Sequence, residues 1–147
     1  MKKLILLLFV SGVLLVTSCN TNTANDADYD TMAQDMCDCV NQSSKGISDE
    51  MKAAIIKSEK DGTDMQAVMT EVMMKDLKNG MADAQAMIDL GKNMETCSRD
   101  LEKKYDKVYT TESPGTVIEK ILNKLKAKKG CEFTYALMKI GAQQMNK

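Results

Sequence analysis

Apolar residues in this 147-residue chain recur every three or four positions, and no segment alternates at a spacing of two over the length of a strand. That periodicity confines the chain to helices. Its only proline is Pro114. Tyr29, Met32, Ala33, Met36 and Val40 form one stripe, so a first helix is expected from about Tyr29 to Asn41, with Asp28 as its cap. Ser48, followed by Asp49 and Glu50, opens a second helix with Met51, Ala54, Ile55 and Ser58 facing inward and Gly62 as its stop. Thr63 and Gln66 have capping-box spacing, and Met65, Val68, Met69, Val72, Met73 and Leu77 continue as a third stripe. A break is expected at Asn79-Gly80, because an unbroken helix would leave Met74 and Met81 together on its outer face. Ala84, Met87, Ile88, Met94, Cys97, Leu101, Tyr105 and Val108 form the next stripe. Ser113-Pro114 begins a further helix (Val117, Ile118, Ile121, Leu122, Leu125), and Phe133, Ala136, Leu137 and Ile140 mark the last. The expected fold class is all-α, a four- to six-helix bundle.

The N-terminus reads differently. Lys2 and Lys3 precede Leu4–Val16, an uncharged run of 13 residues, too short to span a bilayer but suited to a secretory leader. Leu15-Val16-Thr17-Ser18-Cys19 closely resembles the lipobox of bacterial lipoproteins, in which an aliphatic residue and two small ones precede the cysteine that is acylated. The resemblance implies a signal peptide over 1–18 and a lipid on Cys19. Residues 19–28 would be a lipid-anchored polar tether and 29–147 the helical domain. The partner this implies is the membrane, held through several acyl chains. Asn20, rather than Asp, follows Cys19. In the Gram-negative sorting scheme Asp at that position implies retention at the inner membrane, so Asn20 favours the outer membrane. An ordinary cleaved leader with a stray cysteine is the plainer reading of the same residues.

Export gives the remaining cysteines their meaning. Cys37, Cys39, Cys97 and Cys131 are an even set in an oxidising compartment and are expected to form two disulfides. Cys37 and Cys39 point about 160° apart on a helix, so they cannot pair with each other. Two connectivities remain, both tying the first helix to Cys97 and Cys131. Relative to the Tyr29–Val40 stripe, the two cysteines lie about 80° to either side. The first helix should therefore be central and stapled on both flanks. The alternatives are a redox-active Cys-x-Cys dithiol or a zinc site, but a chelating pair usually has two to four intervening residues and a second pair.

Composition narrows the chemistry. There is no His and no Trp, which removes the usual neutral-pH acid–base group, imidazole metal ligands and the strongest stacking platform. With the leader gone, 18 basic residues face 21 acidic ones, a net charge of −3 that gives no reason to expect a nucleic-acid partner. No Ser–base pair, paired carboxylates or Gly-rich phosphate loop appears, so no catalytic residue, cofactor or metal site is assigned. Among the 13 Met, Met65, Met69 and Met73 share one face, a ladder able to hold Cu(I). Met also fills irregular core space, and these residues interleave with Val68 and Val72 at core spacing. Met74 and Met81 suit an exposed contact patch for another envelope protein. From Gly115 to Lys147 seven Lys oppose Glu119 and Glu132, a local +5 that would suit an anionic surface or simply a solvated helix face.

Met36-Cys37-Asp38-Cys39-Val40, Met94-Glu95-Thr96-Cys97, Leu101-Glu102-Lys103-Lys104-Tyr105 and Lys128-Lys129-Gly130-Cys131 together resemble a group of small helical Cys-containing lipoproteins. The resemblance spans roughly residues 30–140. It implies a helical fold with two bridges and transfers no activity. The expected function is that of a non-catalytic binding or adaptor module of the cell envelope; the alternative is a periplasmic Cu(I)-binding or thiol-redox protein.

Overall fold

The computed structural model describes residues 24–145, with side chains to residue 143; residues 1–18, Cys19 and the start of the tether lie outside the described residues. Seven helices follow one another: α1 (Asp26–Ser43), α2 (Asp49–Asp61), α3 (Met65–Lys75), α4 (Leu77–Lys104), α5 (Asp106–Thr111), α6 (Pro114–Ala127) and α7 (Glu132–Met145). The all-α bundle held by two disulfides is thus what forms. The count is seven because the stretch after Thr63 divides into α3, α4 and the six-residue α5.

The start of α1 differs from expectation. Asn25 is its cap and Asp28 is the third helical residue, where it returns a hydrogen bond. Asn25 Oδ1 accepts from the Asp28 amide at 3.0 Å and Asp28 Oδ2 accepts from the Asn25 amide at 2.9 Å. This reciprocal box satisfies two amides that would otherwise be orphaned, which extends the helix a turn into the expected tether. α2 starts and stops as expected, with the Ser48 hydroxyl accepting from the Met51 amide and Gly62 in the left-handed region at φ 68°. The cap of α3 is Asp64 rather than Thr63, accepting from the Ala67 amide at 2.9 Å; the Thr63 carbonyl instead takes the Ser58 hydroxyl at 2.6 Å. Ser113 caps α6 and Pro114 occupies its first turn, as expected.

The α3–α4 break falls at Asp76, not at Asn79-Gly80. Asp76 leaves the helix (φ −141°, ψ 95°) and its carboxylate accepts from the Lys78 and Asn79 amides, so α4 begins at once. Gly80 is inside α4, where the two helices touch. A Cβ there would lie 2.6 Å from Met73 Cα, so only glycine permits this approach.

α1 runs through the middle. Its buried stripe of Tyr29, Met32, Ala33, Met36, Cys37 and Val40 serves two clusters. Tyr29, Met32, Ala33 and Cys37 pack with Val108, Val117, Ile121, Leu125 and Cys131 from α5, α6 and the turn before α7. Met36 and Val40 pack with Ile47, Met51, Ile55, Val72, Leu90, Leu101, Phe133 and Ala136. α4 lies antiparallel to α1: Cys97 bridges Cys39, Lys104 pairs with Asp35, and Asp83 reaches Ser48 just past the end of α1. Since α1's 18 residues measure about 27 Å, the α3–α4 turn is at the pole opposite Asn25.

Candidate functional site

The disulfides resolve the open pairing. Cys37 joins Cys131 (Cα–Cα 5.4 Å) and Cys39 joins Cys97 (Cα–Cα 6.3 Å). α1 is therefore stapled to the α6–α7 turn on one side and to α4 on the other, which is the placement that the opposed directions of the two cysteines require. Their surroundings differ. Cys37 and Cys131 are buried in the second cluster, and the Asn41 amide clamps the adjoining turn by donating to the Gly130 carbonyl at 3.1 Å. Cys39 is half-buried and borders a polar groove lined by Gln42, Ser43, Asn93, Thr96 and Asp100.

The C-terminal lysines are largely occupied within the fold. Lys120 pairs with Glu112 at 2.6 Å, Lys124 with Asp26 at 2.6 Å, Lys128 with Asp30 at 3.0 Å, and Lys139 with Glu59. Three of these acids lie on α1 or α2, so the local excess of charge read from residues 115–147 is offset across helix seams. Spacing along one segment cannot reveal partners about 90 residues away.

Three seams share one chemistry: a lysine, a carboxylate and a tyrosine. Asp35 accepts hydrogen bonds from both Lys104 and the Tyr105 hydroxyl. Burial opposes ionisation of Asp35, but those two donors outweigh it and hold its carboxyl below the usual range. Burial and then Asp35 push the Tyr105 phenol up. In the second seam Lys120 sits 4.6 Å from the Tyr29 ring centre and binds Glu112. The Lys120 hydrogen bond and then Tyr29 lower the Glu112 carboxyl. Tyr29 itself is raised by burial and then by Glu112, although its hydroxyl and Glu112 Oε2 fall short of hydrogen-bond geometry. In the third, Lys139 binds Glu59 beneath the Tyr135 ring. Each carboxylate already has its donor, so these groups act as interhelix clamps.

A buried acid was not visible in the sequence. Asp83 is only 3% exposed; its Oδ1 accepts from the Ser48 amide and its Oδ2 from the Ser48 hydroxyl, each at 2.6 Å. It fixes the start of α2 to α4. The one signal for it is position: Asp83 follows Gly80 by three residues on the same face.

The methionine ladder is half-buried, and Met69 and Met73 pack against the core cluster. Among the described residues no three of His, Cys, Asp or Glu are grouped to hold a metal. Met74 and Met81 are exposed, at 73% and 75%, as the sequence suggests. Leu77 and Ile88, expected inside, are also exposed, at 71% and 57%. The new phase set at Asp76 explains both. Gly80, Asp83 and Leu90 take the inward side of α4 with Met87 half-buried, leaving Leu77, Met81 and Ile88 about a third of a turn or more away from it. The four large exposed apolar side chains among the described residues all belong to this hairpin. No described helix is long and apolar enough to cross a membrane. Comparison with known proteins finds no family model, no curated protein and no solved structure that matches the chain.

Proposed function

We propose that this chain is a lipoprotein of the bacterial cell envelope, anchored in the outer membrane through Cys19, whose helical domain is a non-catalytic binding module. The observation that carries the reading is the apolar face of Met74, Leu77, Met81 and Ile88. Contiguous bare apolar surface at one spot is what contact sites share. Its position supports the same reading. The tether leads to Asn25, and the face lies at the far pole of the bundle, so an anchored domain would hold it about 30 Å or more from its attachment, away from the bilayer. The elongated α4 serves as the arm.

The copper and redox alternatives draw less support. Met69 and Met73 already pack on the core, and all four cysteines of the described domain are bridged. The deeply buried acid, Asp83, is occupied by the amide and hydroxyl of Ser48, the cap of α2.

The test uses the full chain in its bacterial host with a photo-crosslinking residue at Met81, and separately at Lys107 on α5 as a control. A discrete adduct from Met81 and none from Lys107 is expected. The Cys19→Ala chain should leave the membrane fraction. No adduct from Met81 in the acylated, folded protein would remove the reading.

A further inference from the structure

Resting on that binding-face reading, we infer that the occupant of the face is a second copy of this chain, docked antiparallel along α4. The spacing points there first. Leu77, Met81, Ala84 and Ile88 follow one another at intervals of four, three and four, the repeat of a coiled-coil seam. On a helix turning 100° per residue they fall within a strip about 60° wide. No helix of the bundle covers the strip, since Leu77, Met81 and Ile88 are all more than half exposed. The seam is short and ends where Gly91, Lys92 and Glu95 follow on the same side.

The seam also reads as its own complement. Turned end for end, it sets Leu77 against the second copy's Ile88 and Met81 against the second copy's Ala84, in each case a large or flexible side chain against one that fits it. A twofold axis then crosses α4 between Ala82 and Asp83, and every contact is made twice. Charge agrees with this register. Lys78 and Asp89 lie on the same flank of the strip, both exposed, near its two ends. The same rotation brings Lys78 beside the second copy's Asp89 at both ends, whereas a parallel arrangement puts these two flanks on opposite sides of the seam, where Lys78 and Asp89 do not meet. Within its own chain Asp89 has two exposed, long contacts, a hydrogen bond from the Gln85 amide at 3.3 Å and the Lys92 ammonium at 3.5 Å.

Area sets the strength. At the exposures found, Met74, Leu77, Met81 and Ile88 present on the order of 500 Å² of apolar surface, near the upper end of what monomers leave bare. Two such faces total about 1,000 Å², the lower bound for a specific interface. The pairing is thus a weak, reversible one suited to copies concentrated on the same surface. A flat contact with an unrelated protein would not require the seam spacing or the matched flanking charges.

The experiment places the photo-crosslinker at Met81 of the full chain in cells that produce two differently tagged copies. The expected adduct has twice the chain's mass, carries both tags, and maps by mass spectrometry to the partner's segment around Ala84. Lys78→Glu should reduce its yield about five-fold, and Lys78→Glu combined with Asp89→Lys should restore it. Leu77→Lys, which touches no core residue, should lower it more than ten-fold. An adduct with a different protein overturns the self-pairing and leaves the binding-face reading standing; no adduct overturns both. A crosslink mapped to Met81 of the other copy, or a yield indifferent to Lys78→Glu, overturns the antiparallel register.

Discussion

α6 and the first three turns of α4 carry comparable apolar side chains at helical spacing, yet only α6 buries them. Val117, Ile121 and Leu125 are 2% exposed or less, and the neighbouring line of Lys120, Lys124 and Lys128 is tied to three acids. The start of α4 is inverted: its inward side holds Gly80 and Asp83, and its outward side holds Leu77, Met81 and Ile88. Both arrangements satisfy the local chemistry. Close approach to Met73 demands a glycine, and the cap of α2 demands a carboxylate, so the apolar residues are displaced outward. An amphipathic period therefore establishes that a face exists and leaves open which neighbour it meets.

The largest expected effect compares the staples on the two sides of α1. Replacing Cys37 and Cys131 together with Ala should cost about 4 kcal/mol: the two lie 94 residues apart, but the Cys39–Cys97 bridge nested in that span stays closed. The Cys39–Cys97 pair closes 58 residues, so its removal should cost about 0.4 kcal/mol less. Urea unfolding of the two double variants measures both. With a mild thiol reductant, peptide mapping should find Cys39 and Cys97 alkylated before Cys37 and Cys131, which are 2% and 1% exposed. The reverse order would mean that the α6 side opens more readily than the α4 side.

Next in size is the contrast between the two faces themselves. Ile121→Ala removes a buried side chain and should cost about 3 kcal/mol. Met81→Ala should change stability by less than about 0.5 kcal/mol. Comparable losses would show that the hairpin face is packed and not free. Gly80→Ala tests the cause of the inversion. Its gain in helix propensity is about 1 kcal/mol, but the new Cβ meets Met73 backbone at 2.6 Å. A net loss of about 2 kcal/mol is expected, from overpacking at a contact with no flexible side chain to yield. Faster amide exchange in α3 and α4, with α6 unchanged, would locate the damage.

Much of this was legible in the sequence, and the exceptions have physical reasons. The α1 stripe, the Ser48 and Ser113 caps, the Gly62 stop and the opposed directions of Cys37 and Cys39 follow from local geometry, which sequence carries directly. Two caps were misplaced by one and three residues because Thr63 and Asp64, or Asn25 and Asp28, offer equivalent side chains, and packing chooses between them. The break at Asp76 has no Gly or Pro to announce it, and a phase shift of three residues there turned Leu77 and Ile88 from inside to outside. Of the candidate face, Met74 and Met81 were legible and the other two were not. Most of the lysine clamps were invisible for a different reason: Lys104–Asp35, Lys124–Asp26, Lys128–Asp30 and Lys139–Glu59 join residues far apart in the chain, Lys120–Glu112 being the local exception.

The smallest effect concerns pH, and it separates the clamped side from the open one. Asp35 is held below the usual carboxylate range because Lys104 and Tyr105 outweigh its burial, and Glu112 is lowered by Lys120 and then Tyr29. A lowered folded-state pKa contributes stability that is fully present above the unfolded value near 4 and is lost as pH falls through the folded value. Acid should therefore loosen the α1 seams from about pH 4 downward. At the other end, Tyr29 and Tyr105 are raised by burial and then by their carboxylates, and Lys104 and Lys120 are raised by their hydrogen bonds to them. A phenol held neutral and an ammonium held charged both favour the fold less as pH climbs past about 10. Thermal midpoints measured from pH 2 to 11 should decline at both ends, and Asp35→Asn should flatten both limbs. Leu77→Lys, which touches none of these groups, should leave the profile of the folded monomer unaltered. If that variant reshapes the acid limb instead, the hairpin face and the clamps are coupled, and the division between a bound side and a free side of α1 does not hold.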